Sequence, residues 1–182
     1  MISVGYMAKR VAPRPDWLKA SAVRDIWSVS NCVSPDFMDY IQFWRHNGYW
    51  LFDDPQIIRE LAQENGVDVK GLTFFYYEAY EEEFDEKLRQ WLSFEPSNLP
   101  TNVIPPARKE FQGYDVVTCS MGTNPECSPL SCNHLASEME TNPHCLLKSF
   151  ENARQSLEAG KFDHSEPGPF RVFAVYTINP AA

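Results

Sequence analysis

Residues 72–80 read LTFFYYEAY. The run is dense in aromatic side chains and is bounded by Gly71, which makes it the strongest strand signal in the chain. Two other runs share its character. Tyr114 to Cys119 (YDVVTC) is one. Phe170 to Ile178 (FRVFAVYTI) is the other, and it is apolar at nearly every position except Arg171 and Thr177, as suits a strand covered on both faces. Ile2 to Val11 alternates loosely and gives a further strand ended by Pro13 and Pro15. Tyr49 to Phe52 is a shorter apolar run, a strand or its remnant.

Helix signals fall between these runs. Asp54-Pro55 places a capping side chain before a proline suited to the first helical position, Ile57, Ile58, Leu61 and Ala62 form an apolar stripe, and Gly66 stops the helix. Ser149 caps a second helix carrying Phe150, Ala153 and Leu157, with Glu151 in its first turn and Gly160 past its end. Ser34, Pro35 and Asp36 open a third, with Phe37, Tyr40, Ile41 and Trp44 on one face and Asn47-Gly48 as its stop. Asp16 is a cap candidate for a short helix from Trp17, in which Leu18, Ala22 and Ile26 fall four apart. The residues from Pro96 to Pro106 are too rich in proline for a ladder and form a surface connector. No internal repeat is visible. The expected fold is a single α+β domain over residues 1–182, a mixed or antiparallel sheet of about five strands with about three helices packed on it.

The bulk numbers agree with a folded domain. The 182 residues include 12 Phe, 8 Tyr and 5 Trp, which need an interior or a partner to cover them. A net charge of -9 repels a phosphate backbone and the only basic cluster is Lys9, Arg10 and Arg14, so nucleic acid is not an expected partner; a basic protein is. No stretch has the length and apolarity of a membrane span or a leader peptide, and the five cysteines fit reduced thiols, so the expected setting is cytoplasmic.

Chemistry-bearing residues concentrate in Gly113 to Leu147, which holds Cys119, Cys127, Cys132, His134, His144 and Cys145. Thiolate and imidazole suit zinc, which makes Cys127, Cys132, His134 and Cys145 candidate metal ligands, but no C-x2-C pair is present and Cys132-x-His134 is tight for a knuckle. No metal or other cofactor is therefore expected. The same residues offer a thiol nucleophile, with Cys127 or Cys132 activated by His134 or His144 and oriented by Asp115, Glu126 or Asp163. Cys132 precedes a short helix expected over about residues 133–139, whose dipole would lower its pKa.

No motif names a reaction, and whether the chain is an enzyme stays open. The first expectation is an acidic binding or regulatory protein. Its surface is the acidic run Glu81, Glu82, Glu83, Asp85 and Glu86, read as the charged tip of a hairpin in which Trp91 to Phe94 pairs back on the aromatic strand. The alternatives are a thiol-dependent enzyme and a zinc-stabilised domain.

Overall fold

The computed structural model describes residues 1–30, 46–94, 102–120 and 124–179. The helix expected after Ser34 lies outside them. Strand β1 is Ile2–Lys9, β4 is Thr73–Ala79, β7 is Glu110–Thr118 and β8 is Phe170–Ile178. They lie side by side in the order β1-β4-β8-β7, every neighbour antiparallel. A hairpin of β5 (Glu82–Asp85) and β6 (Gln90–Ser93) joins β8 through Phe84 and Phe170, which completes a six-stranded sheet. Two-residue strands β2 (Ala12–Pro13) and β3 (Asp25–Ile26) pair separately. The fold is thus a small single-domain α+β structure with an antiparallel sheet.

Both helices marked by capping signals form as their sequences dictate. Helix α1, Pro55–Asn65, is capped by Asp54, whose side chain accepts from Gln56 N, and ends on Gly66 in the left-handed conformation. Helix α3, Phe150–Glu158, is capped by Ser149, whose hydroxyl accepts from Asn152 N. Ile58, Leu61 and Ala62 of α1 and Ala153, Ser156 and Leu157 of α3 are buried at the same i, i+3, i+4 spacing. Helix α1 packs on β1, and α3 on β7 and β8.

The strand pairs β1–β4 and β7–β8 are related in geometry. Tyr6 pairs with Tyr76 and Tyr114 with Ala174, while the central strands pair Tyr76 with Tyr176 and Glu78 with Ala174. These registers place an approximate twofold axis through the Tyr77–Val175 pair. Each outer strand bulges at a glycine beside that pair, Gly5 at φ 143° and Gly113 at φ 146°. Each glycine admits one turn. A Cβ on Gly5 would lie 2.6 Å from Leu51 Cβ and 2.9 Å from Phe52 O, and one on Gly113 would lie 2.8 Å from Leu146 Cβ and 2.9 Å from Leu147 O. Tyr6 and Phe52 exchange both backbone hydrogen bonds, as do Tyr114 and Leu147. Trp50 (φ 57°) and Cys145 (φ 64°) take the left-handed position in the two turns.

Several local expectations give way to long-range partners. No helix follows Trp17; residues 16–17 and 21–22 are turns, and Arg24 N and Asp25 N donate to Pro143 O at 2.8 and 3.2 Å. Trp91 to Phe94 does not pair with the aromatic strand. It pairs with the acidic residues, so Glu82 to Asp85 are strand and the turn is residues 86–89. The helix expected near residues 133–139 is split into α2 (Pro129–Cys132) and a 3₁₀ turn, Leu135–Ser137. The twofold relation joins strand registers and turns, and it has no counterpart as a repeat in the sequence.

Candidate binding face

Successive strand side chains alternate between faces, and the two faces of this sheet differ. The face away from α1 and α3 carries Met7, Phe75, Tyr77, Asp115, Val117, Arg171, Phe173 and Val175, all buried. It is sealed by loops. Lys9 Nζ donates to the carbonyls of Ser28, Val29 and Ser30 at 2.8, 2.6 and 3.0 Å, and Asp115 Oδ2 accepts from Val29 N at 2.8 Å and Ser128 Oγ at 2.6 Å. Burial pushes the Asp115 carboxyl up to about 6 against the pull of those bonds and of Lys9. Arg171 is fully buried with Nη2 on Tyr80 O at 2.7 Å and its guanidinium 3.5 Å from the Phe94 ring centroid. Burial draws its pKa down.

On the helix face, one row of the sheet is aromatic on all four long strands. Tyr6, Tyr76, Tyr176 and Phe111 are cross-strand neighbours with ring centroids 5.1, 5.8 and 5.5 Å apart. The belt continues through Tyr114 to Phe150 at the start of α3. Because α1 and α3 sit on the outer strands, the middle of this row lies between them. Tyr76 is buried, Tyr176 and Tyr114 are half-buried, and Phe111 is 45% exposed.

Lys109, just before β7, crosses this row. Its Nζ lies 4.9 Å from the Tyr76 ring centroid and 4.2 Å from that of Tyr176, and it donates to Glu78 Oε1. Tyr76 Oη donates to Glu78 Oε1 at 3.1 Å and Tyr176 Oη to Oε2 at 3.0 Å, with Ser3 Oγ 2.6 Å from Tyr76 Oη. Burial opposes ionisation of Glu78, but the bonds from Lys109, Tyr176 and Tyr76 outweigh it and hold the carboxyl below its ordinary value. Burial raises both phenols well above theirs, so they remain donors to a carboxylate. A cavity of about 540 Å³ lies beside Arg108, Lys109 and Thr177, and another of about 520 Å³ beside Tyr6, Pro55 and Ile104. The arrangement holds the Lys109 ammonium through two rings and one carboxylate.

No protein-family model, curated protein or solved structure matches this chain.

The cysteine-bearing stretch is spread through the fold. Cys119 and Cys145 are buried, and burial pushes the Cys119 thiol up to about 12 and that of Cys145 further. Cys127 faces Thr118 across a backbone bridge, and Cys132 ends helix α2 instead of preceding a helix, so it does not meet a positive dipole end. His134 packs edge-on against Trp17 at 4.9 Å; His144 stacks on Trp27 at 3.7 Å with its Nδ1 2.6 Å from Asp25 Oδ1. The proposed orienting acids are engaged elsewhere, Glu126 with Ser120 Oγ at 2.7 Å and Asp163 with Arg89 at 2.8 Å. Among the described residues no group of three His, Cys, Asp or Glu is placed to hold a metal ion.

The acidic run is strand only over Glu82–Asp85, and its carboxylates have local work. Glu81 faces the N-terminal amine at 3.4 Å, Glu82 accepts from Tyr80 Oη at 3.2 Å, and Asp85 Oδ1 accepts from Lys87 N and Leu88 N at 2.8 and 2.9 Å. Glu86 accepts from Gly168 N at 3.2 Å, and burial raises Glu83 against the pull of Arg171. Sequence reading missed Tyr6, Glu78, Lys109, Phe111 and Tyr176. The usable signal was aromatic residues at alternate strand positions, which becomes a row only once strand order is known.

Proposed function

We propose that this chain is a protein-binding module that takes a basic segment of a partner on the aromatic face between α1 and α3. The observation that supports it is Lys109, an ammonium seated over Tyr76 and Tyr176 and bonded to Glu78. The net charge of -9 favours encounter with such a partner, and strand β5 adds to that field. Phe111 and Ile104, exposed by 45% and 78%, supply apolar contact at the margins.

The test is an amide NMR titration of the protein with a short peptide rich in lysine and phenylalanine, with a glutamate-rich peptide as control. Salt-sensitive, saturable shifts centred on residues 76, 78, 111 and 176 are expected. Shifts confined to residues 81–86 and abolished by Glu81→Lys, Glu82→Lys and Glu83→Lys would move the function to the acidic strand; no saturable shift would refute the reading.

A further inference from the structure

The Lys109 contact has the composition of a recognition site more than of a surface ion pair. A surface lysine and glutamate need only each other, and their pairing is weak. Here the carboxylate is also held by two phenol hydroxyls, Tyr76 on the same oxygen as Lys109 and Tyr176 on the other, and its partner's charge lies against two ring faces. The side chains of Glu78 and Lys109 are 16% and 28% exposed, so the box is largely withdrawn from water yet open on one side. Glu78 and Tyr176 hold their places through a β4–β8 ladder in the middle of the sheet. Lys109 instead follows a stretch, residues 102–108, with no helix or strand. The receiving half is built into the sheet, and Lys109 reaches it from the residue before Glu110, so its side chain alone has to move to vacate the box.

We propose that Tyr76, Tyr176 and Glu78 form a site for the primary ammonium of a lysine side chain, occupied in this structure by the chain's own Lys109. The inference rests on the binding-face reading and specifies its ligand: a partner lysine replaces the Lys109 ammonium, whose side chain rotates out. The N–H donors of a primary ammonium satisfy Glu78 while the rings take its charge. A quaternary ammonium satisfies only the rings. Attachment beside β7 keeps the internal lysine at high effective concentration, so free ligand binds the intact protein weakly.

The experiment is a titration with n-butylammonium chloride, followed by Tyr176 and Tyr76 ring proton shifts, on wild type, Lys109→Ala and the double variant Lys109→Ala with Glu78→Gln. Lys109→Ala is expected to bind at least about tenfold more tightly than wild type, and the double variant to lose at least about tenfold of that gain. Tetramethylammonium is expected to bind Lys109→Ala more weakly than n-butylammonium does. Equal binding by wild type and Lys109→Ala, no effect of Glu78→Gln, or preference for tetramethylammonium would each overturn the proposal. Should Lys109→Ala fail to fold, displacement in wild type decides: near-molar n-butylammonium must bring the Lys109 Nζ signal to that of a free lysine, and an unmoved signal refutes the site. The lysine-rich peptide separates the two readings. Peptide that binds wild type and Glu78→Gln equally on this face leaves the binding face standing and removes the ammonium site; absence of peptide binding removes the face itself.

Discussion

Asn47 and Asn142 hold their turns in the same way in the two halves of the molecule. Asn47 Nδ2 donates to Val4 O at 2.8 Å and its Oδ1 accepts from Tyr49 N at 2.9 Å; Asn142 Nδ2 donates to Gln112 O at 2.7 Å and its Oδ1 accepts from His144 N at 2.9 Å. Each side chain thus bridges an outer strand, just before its bulge, to the turn that seals it. Replacement of either by alanine leaves part-buried backbone groups unsatisfied. Asn142→Ala and Asn47→Ala are each expected to cost about 2–3 kcal/mol. Thermal unfolding of the two variants is the check, and a drop for one with none for the other would break the equivalence.

Gly113 and Gly66 both sit at positive φ, yet only Gly113 is crowded. A methyl on Gly66 meets nothing within 4 Å, whereas one on Gly113 meets Leu146 Cβ at 2.8 Å and Leu147 O at 2.9 Å. Gly66→Ala is expected to cost about 1 kcal/mol for the left-handed backbone alone. Gly113→Ala is expected to cost about 3 kcal/mol or more, since overpacking adds to strain. Urea midpoints of the two variants decide it, and similar values would mean that the 142–147 turn gives way freely.

Asp115 supplies a pH dependence of known sign. Its carboxyl titrates near 6 in the folded protein against an ordinary value near 4, so the folded state holds the proton more tightly than the unfolded chain does. That contribution is complete below about pH 4 and is lost as pH rises through about 6, a destabilisation of the order of 3 kcal/mol. Asp115→Asn removes the titration. The stability of the variant relative to wild type should therefore rise between pH 4 and pH 7, measured by urea unfolding across that range. A constant difference would show that Asp115 is ionised throughout.

Thiol labelling gives the fourth prediction. At pH 8 under native conditions, iodoacetamide should reach the half-buried Cys127 and Cys132 and leave Cys119 and Cys145 unmodified until the protein unfolds. Mass mapping of the labelled peptides is the readout. Rapid labelling of any of the four well below pH 8 would revive the thiol-enzyme reading.

What the sequence reveals here is whatever is signalled locally. Asp54-Pro55 with Gly66, and Ser149 with its stripe, specify α1 and α3 without outside help, and the runs at 73–79 and 170–178 are too apolar and aromatic to be anything but strand. The segment after Trp17 shows the limit. Leu18, Ala22 and Ile26 keep helical spacing, but Trp27 N donates to His144 O at 3.1 Å, a partner no local pattern announces. The likeness of the two turns was not legible because NGYWLF at 47–52 and NPHCLL at 142–147 share only the asparagine and one leucine, while the other side chains differ. The ammonium box is distributed over β4, β8 and the approach to β7, so it exists only after those strands have been ordered.

Strand β8 comes after every other strand in the chain yet lies between β4 and β7. A ribosome therefore delivers the middle of the sheet after its edges. Until residues 170–178 emerge, β4 has β1 on one side and open backbone on the other, and β7 has no strand beside it among the described residues. Assembly must wait for contacts between distant parts of the chain, which makes for slow folding. The nascent protein meanwhile carries two aromatic edges able to take any strand that passes, an interval in which a chaperone has most to offer.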